Sequence, residues 1–360
     1  MKVDLIDPRD ARWEQFLAEI HHDFYHLPSY VSLAAKHESG SPIAFYAEDR
    51  DAMFLAPLLV KRIPAYLSPP GSWFDATTPY GYPAPLLWPP GDDQALERFL
   101  QVFRETCAEH GIVTAFFRLH PLMTLPQSAL VKQGALVRHG QTVYIDLSIT
   151  HEDFWAQLDR THRKDIRKLM KSGYEAHIDD WNHYQDFIDI YRETMKRLSA
   201  TEFYSFSKGY FNELRSVLGD NLHLCTILSP EQEVAAAGLF TTFNGIAQYH
   251  LSGTADKYIK ESPSKMICEA IYAFSKNAGN KVFHLGGGLG GNNDSLFKFK
   301  AGFSSLLLDF YTYRMVLDEG KHAMLIKFWR QKYAPVADSA FGPDFFPSYR
   351  QLPHTAAEAA

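Results

Sequence analysis

One order of elements occurs twice in this sequence, and it constrains the fold more than any single motif. Residues 42–62 alternate (Ile43, Phe45, then Met53-Phe54-Leu55 to Val60) around the polar turn Glu48-Asp49-Arg50-Asp51, the pattern of a hairpin. An irregular Pro/Gly/aromatic link over 64–91 follows, then a helix over 92–109 with Leu96, Phe99, Leu100 and Phe103 on one face, then Gly111. The apolar run Ile112–Leu119 after it reads as a buried strand. In the second half a hairpin of 222–229 with 233–243, turning at Ser229-Pro230-Glu231-Gln232, leads to a strand over 246–252. A helix over 264–277, Gly279 and the buried strand Lys281–Leu285 complete the same order. At 360 residues the chain can bury two cores. The spacing therefore predicts an α/β (α+β) chain of two small copies, each a mixed central sheet flanked by helices, joined near Thr150. Identity between the halves is low, and the alternative is chance recurrence of a common α/β order.

The remaining helices are predicted at 8–20, opened by Asp7-Pro8, and at 151–171 and 182–199. The expected domains are 1–149, 150–335 and a C-terminal tail, 336–360. With 46% hydrophobic and 14% aromatic residues, the chain is neither disordered, collagenous nor a coiled coil. A net charge of −6 argues against a general coating for DNA. Cys107, Cys225 and Cys268 lie far apart with no CxxC, so the expectation is a reduced, cytoplasmic chain without disulfides or a zinc knuckle. No signal-peptide-like run opens the sequence and no apolar stretch is long enough to span a bilayer. The histidines, among them His21-His22, His26, His120, His162 and His284, show no HExxH or paired spacing, and no metal is expected.

The segment His284–Phe303 carries the strongest chemical signal. Gly286, Gly287, Gly288, Gly290 and Gly291 follow a strand, giving a backbone free to turn sharply and bring amides to a ligand. Asn293 or Asp294 is placed to cap a short helix ending at Gly302. The spacing is neither GxGxxG nor a Walker loop, so a dinucleotide reading is weak; a flexible surface loop is the alternative. Lys298 and Lys300, two residues apart, are expected to point in different directions, one solvated and one toward a crevice. A second feature is the basic helix expected over 151–171. Phe154, Trp155, Leu158, Ile166, Leu169 and Met170 mark its buried stripe, while Arg160, Arg163, Lys164, Arg167, Lys168 and Lys171 crowd the rest. Such a face suits the phosphates of a tRNA or an anionic headgroup, and a merely solvated face is the alternative.

The string His284-Leu285-Gly286-Gly287-Gly288 followed by Asp294-Ser295-Leu296-Phe297-Lys298-Phe299-Lys300-Ala301-Gly302-Phe303 resembles the signature near the end of FemABX-type transferases and the related BioF2-like acetyltransferases. Further matches occur in the same order: Pro57-Leu58-Leu59, Pro79-Tyr80-Gly81-Tyr82, Arg118-Leu119-His120-Pro121, His162-Arg163-Lys164-Asp165-Ile166-Arg167-Lys168 and Phe346-Pro347-Ser348-Tyr349-Arg350. The resemblance implies two tandem GNAT-like folds. It also implies transfer of an aminoacyl group from aminoacyl-tRNA, or an acyl group from another carrier, onto an amine; better-known members extend peptidoglycan-precursor peptides. It places the family's Phe-Lys pair at Phe299-Lys300, a strand tyrosine at Tyr249, an arginine at Arg197, a displaced tyrosine at Tyr204 and an early lysine at Lys36.

Two departures stand out. The glycine-containing cradle by which ordinary GNAT enzymes hold the CoA pyrophosphate is missing between 254 and 264, which disfavours acetyl-CoA as donor. The long helical-hairpin insertion of several peptidoglycan-bridge enzymes is also absent. An activated donor needs no nucleophilic triad. On this reading Lys300 stabilises the oxyanion or a donor phosphate, and Gly286, Gly287 and Gly288 form the substrate loop. Gly287 and Gly288 there supply N–H contacts, and Tyr249 and Arg197 position the acceptor. Asp294 is the lower-ranked proton acceptor, capping being its first task. The competing readings are an acyl-CoA or acyl-carrier N-acyltransferase, and a non-catalytic tandem-GNAT binding module. Contact with the inner face of a membrane stays open.

Overall fold

A computed structural model describes residues 1–333 and 344–353. The chain divides into two units, Met1–Arg138 with Tyr311–Ala360, and His139–Phe310.

In the first unit a short edge strand, β1 (Lys2–Ile6), precedes α1 (Ala11–Glu19). The Asp10 carboxylate, not Asp7, accepts from the Arg12 amide and caps α1, so this helix starts later than Asp7-Pro8 suggested. After α2 (Pro28–Glu38), the predicted hairpin forms as β2 (Ser41–Asp49) and β3 (Ala52–Arg62), in register from Ser41↔Val60 to Asp49↔Ala52. β4 (Phe74–Thr77) and β5 (Leu86–Trp88) both pair with β3. α3 (Asp93–Glu109), capped by Asp92, ends before Gly111, whose φ of +75° and close approach to the Ser72 carbonyl require glycine. β6 (Ile112–Arg118) lies parallel to β4, and α4 (Gln127–Gln133) leads into β7 (Ala135–Asp146). Phe45, Phe54, Phe99, Phe103 and Phe117 fill the core between the sheet and α3.

The second unit begins within β7. α5 (His151–Gln157) and α6 (Arg160–Lys171) replace the single helix expected over 151–171. Leu158 leaves the helical conformation (φ −55°, ψ 140°), and Asp159 caps α6 by accepting the His162 amide at 2.6 Å. Met170, expected in the buried stripe, is 42% exposed, and His162 is buried with Ile166 and Leu169 instead. β8 (Glu175–Ile178), α7 (Tyr184–Arg197) and α8 (Lys208–Leu218) precede the second hairpin, β9 (Leu222–Leu228) and β10 (Val234–Phe243). β11 (Ile246–Thr254), α9 (Ser264–Asn277), β12 (Val282–Gly287) and α10 (Ser295–Ala301) follow as the sequence order required. The sheet order here is β7-β12-β11-β10-β9-β8, with β11 and β12 parallel and the other pairs antiparallel. Adjacent strand residues face opposite sides. A side chain on Gly238 would meet Ile267 of α9, and its register partner is Ser252. A side chain on Gly253, the next residue along, would meet Ile190 and Thr194 of α7. α7 and α9 therefore cover opposite faces of this sheet.

β13 (Leu307–Val316) returns the chain to the first unit, where Thr312 to Val316 pair antiparallel with β6, and α11 (Glu319–Tyr333) follows. The observed units thus differ from the expected 1–149, 150–335 and 336–360. The first unit is discontinuous, because its sheet takes a strand from far along the chain. The described part of the tail belongs to it too; 334–343 and 354–360 lie outside the described residues. Asp75, 4% exposed, accepts from Thr114 Oγ1 at 2.8 Å, Tyr349 Oη at 2.5 Å and Arg350 Nε at 2.5 Å, while Arg350 Nη2 donates to the carbonyls of Lys61 and Arg62. Removing that carboxylate leaves Arg350 Nε and two buried hydroxyls without their acceptor, so Asp75→Ala is expected to cost about 3 kcal/mol. Urea unfolding measures it, and an unchanged midpoint would show that the tail is not clasped through Asp75.

Candidate active site

β12 pairs with β7 through Val282↔Asp146, Phe283↔Ile145 and His284↔Tyr144, then shifts register so that Gly286 and Gly287 face Val143 and Thr142. Gly286 takes a φ of +77° at the shift. At Gly288 a Cβ would lie 2.1 Å from the Asn292 carbonyl and 2.4 Å from Asp294 Oδ1, so the loop closes on itself only with glycine there. Asp294 then caps α10: Oδ1 accepts from the Phe297 amide and Oδ2 from the Leu289 amide, each at 2.8 Å. These amide contacts outweigh burial and hold its carboxyl below the usual range. With both oxygens engaged and its basicity lowered, Asp294 is placed as a structural cap.

The cap fixes where α10 projects its lysines. Lys298 is exposed. Lys300 turns back and donates from Nζ to the Gly287 carbonyl at 2.7 Å. Burial pushes Lys300 down to about 8, opposed by Cys268 and Asp294. Cys268, on α9, is fully enclosed; burial pushes its thiol far up, so it is no nucleophile. Tyr249 of β11 shares that Cys268 neighbour and packs against Phe283 at 6.3 Å. Its hydroxyl is buried beside Ser252 without a well-formed hydrogen bond, and burial raises the phenol far above its ordinary value. Lys300 is thus joined to the glycine loop at the end of β12, and Tyr249 shares with Lys300 the neighbour Cys268.

Phe299 belongs to the same construction through packing rather than exposure. Its carbonyl accepts from His162 Nε2 at 2.9 Å, and its ring lies 5.6 Å from the His162 ring and 5.4 Å from Phe303. The Asp159 amide donates to the Gly302 carbonyl at 2.9 Å, and any side chain on Gly302 would strike His162 and Asp159. The basic helix α6 is therefore latched to the lysine-bearing helix α10. On α6, Arg160, Lys164, Arg167, Lys168 and Lys171 are exposed and Arg163 is half-buried. Arg163 reaches the Trp155 carbonyl and Arg167 lies over the Trp155 ring. No carboxylate of the described residues lies within ion-pair distance of Arg160, Lys164, Lys168 or Lys171. Asp165, the one acid of this helix, is committed to Lys265 of α9 at 2.6 Å.

The other residues named from the sequence belong to other elements. Arg197, at the end of α7, is paired with Asp256 and Thr194. Tyr204 lines a cavity of about 510 Å³ beside α7, which Arg197 does not line. Lys36 is exposed on α2 of the first unit. The His162 latch and the Lys265–Asp165 pair escaped the sequence reading because their partners lie far apart in the chain, and the cavity escaped it because it depends on how residues 199–207 fold back on α7. No group of three His, Cys, Asp or Glu side chains suited to a metal ion occurs among the described residues. No helix among them is long and apolar enough to cross a membrane.

No protein-family model matches this sequence, and no curated protein does. Solved structures do match. The fold is that of FemX: the superposition has a TM-score of 0.67 at 12% identity and covers 93% of this chain and all (100%) of FemX. L-PGS from Bacillus licheniformis superposes with a TM-score of 0.55 at 13% identity, covering 90% of this chain and 97% of L-PGS. The C-terminal domain of a putative lysylphosphatidylglycerol synthetase from Agrobacterium fabrum does so at 0.53 and 14%, covering 84% and 90%. The fold thus bears out the resemblance to FemABX-type transferases drawn from the motifs.

Proposed function

We propose that this protein is an acyltransferase that forms an amide between an activated acyl donor, an aminoacyl-tRNA, and an amine acceptor. The observation that carries this reading is Lys300: a half-buried cation held at a glycine-rich strand end by a capped helix. A cation there is suited to the oxyanion of acyl transfer, where a low-dielectric setting strengthens it. In this proposal Tyr249, which shares the neighbour Cys268 with Lys300 and whose buried hydroxyl lacks a well-formed hydrogen bond, positions the acceptor.

Two features favour a tRNA donor over a CoA thioester. Between β11 and α9 the chain forms a 3-10 turn, Asp256–Glu261, without glycine. The amides of Ser262, Lys265 and Met266 already donate to the carbonyls of Ile259, Ser262 and Pro263, and the Lys265 side chain is drawn to Asp165, leaving a poor cradle for pyrophosphate. The basic face of α6, by contrast, is uncompensated and is latched to α10. Neutralising Arg160, Lys164, Lys168 and Lys171 together to alanine is expected to weaken aminoacyl-tRNA binding. It should also reduce the slope of log affinity against log salt by about 3. Fluorescence anisotropy across a salt series measures this; an unchanged slope would remove the tRNA from this face. The acceptor in this proposal is a peptide or small-metabolite amine, with a peptidoglycan-precursor peptide as the instance that the motif resemblance to FemABX-type transferases implies.

A further inference from the structure

The cavity beside α7 has a composition that the transfer site does not use. It lies between the C-terminal half of α7 and residues 199–207, on the sheet face opposite α9, with a volume of about 510 Å³. Tyr191 and Phe206, both 2% exposed and with ring centroids 6.1 Å apart, form an aromatic floor. The Tyr191 hydroxyl donates to the Tyr204 carbonyl at 3.0 Å and ties the 199–207 segment over that floor. Ser207, in the lining, caps α8 by accepting the Tyr210 amide at 3.0 Å.

The rim is cationic. Arg192 and Lys196 both line the cavity, one helical turn apart on the same side of α7. A like-charge pair at this spacing opposes helix formation. The acids of α7 itself do not relieve it: Asp186 binds His183, Asp189 accepts from Gln185, and Glu193 accepts from the Asp256 amide. No described residue offers Arg192 or Lys196 an ion-pair partner. Two cations above an aromatic floor, in a volume within the small-molecule range, suit a dianionic head on a flat or apolar body.

We propose that this cavity is a second binding site, separate from the Lys300 loop, for a small organic phosphate whose phosphate meets Arg192 and Lys196 while its body lies on Tyr191 and Phe206. The site does not depend on the acyl-transfer reading.

Calorimetric titration of the full chain with phenyl phosphate tests it, with benzoate and inorganic phosphate as comparison arms. The expected result is saturable binding with a Kd of about 1 mM or tighter. Inorganic phosphate, which lacks the body, and benzoate, which lacks the second charge, should both bind more weakly. The double variant Arg192→Gln/Lys196→Gln should bind phenyl phosphate at least about tenfold more weakly, a loss of about 1.4 kcal/mol, and Lys300→Met should bind it as wild type does. These substitutions are on the surface, and circular dichroism of the double variant should be unchanged. Equal binding by the double variant, no saturation by wild type, or loss of binding in Lys300→Met would each overturn the proposal. A phosphate carried by nucleic acid is distinguished by a 5′-phosphorylated oligonucleotide: if it binds more tightly than phenyl phosphate, the small-molecule assignment fails.

Discussion

Lys300→Met is expected to lower the rate of acyl transfer by about 100- to 1000-fold while making the protein more stable. The rate loss is that of removing a charge aimed at a developing oxyanion in a site shielded from water. The stability gain follows from the depressed lysine. Its folded-state value of about 8, set chiefly by burial, lies below the ordinary 10.5, so the folded chain holds that proton less firmly than the unfolded chain does. The resulting cost is fully present below about pH 8 and disappears as pH rises past the unfolded value. Methionine, similar in length and uncharged, removes the cost but also loses the bond to the Gly287 carbonyl. The net gain is on the order of 2 kcal/mol near neutral pH. A variant that is both inactive and less stable would mean that Lys300 is a structural residue. The same shift predicts that the wild-type rate declines as pH rises through about 8, instead of holding toward pH 10 as an ordinary lysine would allow.

Acid is the second large effect. Burial lowers His26, in the first unit, to about 3, and His250, in the second, to about 4. Both are neutral in the folded chain across the range where an unfolded histidine, at 6.5, takes up a proton. Stability is therefore present above about pH 6.5 and is lost as pH falls toward these folded values, at about 1.4 kcal/mol per pH unit for each histidine. By about pH 4.5 each unit should have lost about 3 kcal/mol. Urea midpoints from pH 7 to pH 4.5 measure the slope. The variant His250→Leu should flatten it for the second unit, and equal slopes in variant and wild type would contradict the assignment.

What could be read from the sequence follows the range over which each signal acts. Both hairpins, α3 and α9 are announced by local alternation, helical spacing and caps, and they appear within a residue or two of their predicted ends. Asp294 was also legible as a cap, because a capping side chain bonds amides close to it in the chain. The break between α5 and α6 was not, since Asp159 interrupts an otherwise continuous amphipathic run and the residue that fills the gap is a histidine. β7 and β13 escaped for a different reason: each is only partly buried along its length, so its pattern shows no clear alternation. With them went the true limits of the units. At the site, the order Gly-rich loop, cap, Phe299, Lys300 marked the right segment. The burial that shifts Lys300, and the hydrogen bond from His162 that ties its helix to the basic face, arise from residues more than 100 positions away in the case of His162 and are visible only once the chain is folded.

The central claim is that Lys300 serves transfer from a tRNA-borne acyl group to an amine. The most direct measurement supplies a mixed pool of radiolabelled aminoacyl-tRNAs, and in parallel labelled acetyl-CoA, to wild type and Lys300→Met with a panel of peptide and small-molecule amines, following label into stable amides. The account predicts amide formation from aminoacyl-tRNA by wild type, little or none from acetyl-CoA, and near-complete loss in Lys300→Met. Amide formation from acetyl-CoA alone, or equal turnover by the two proteins, would contradict it.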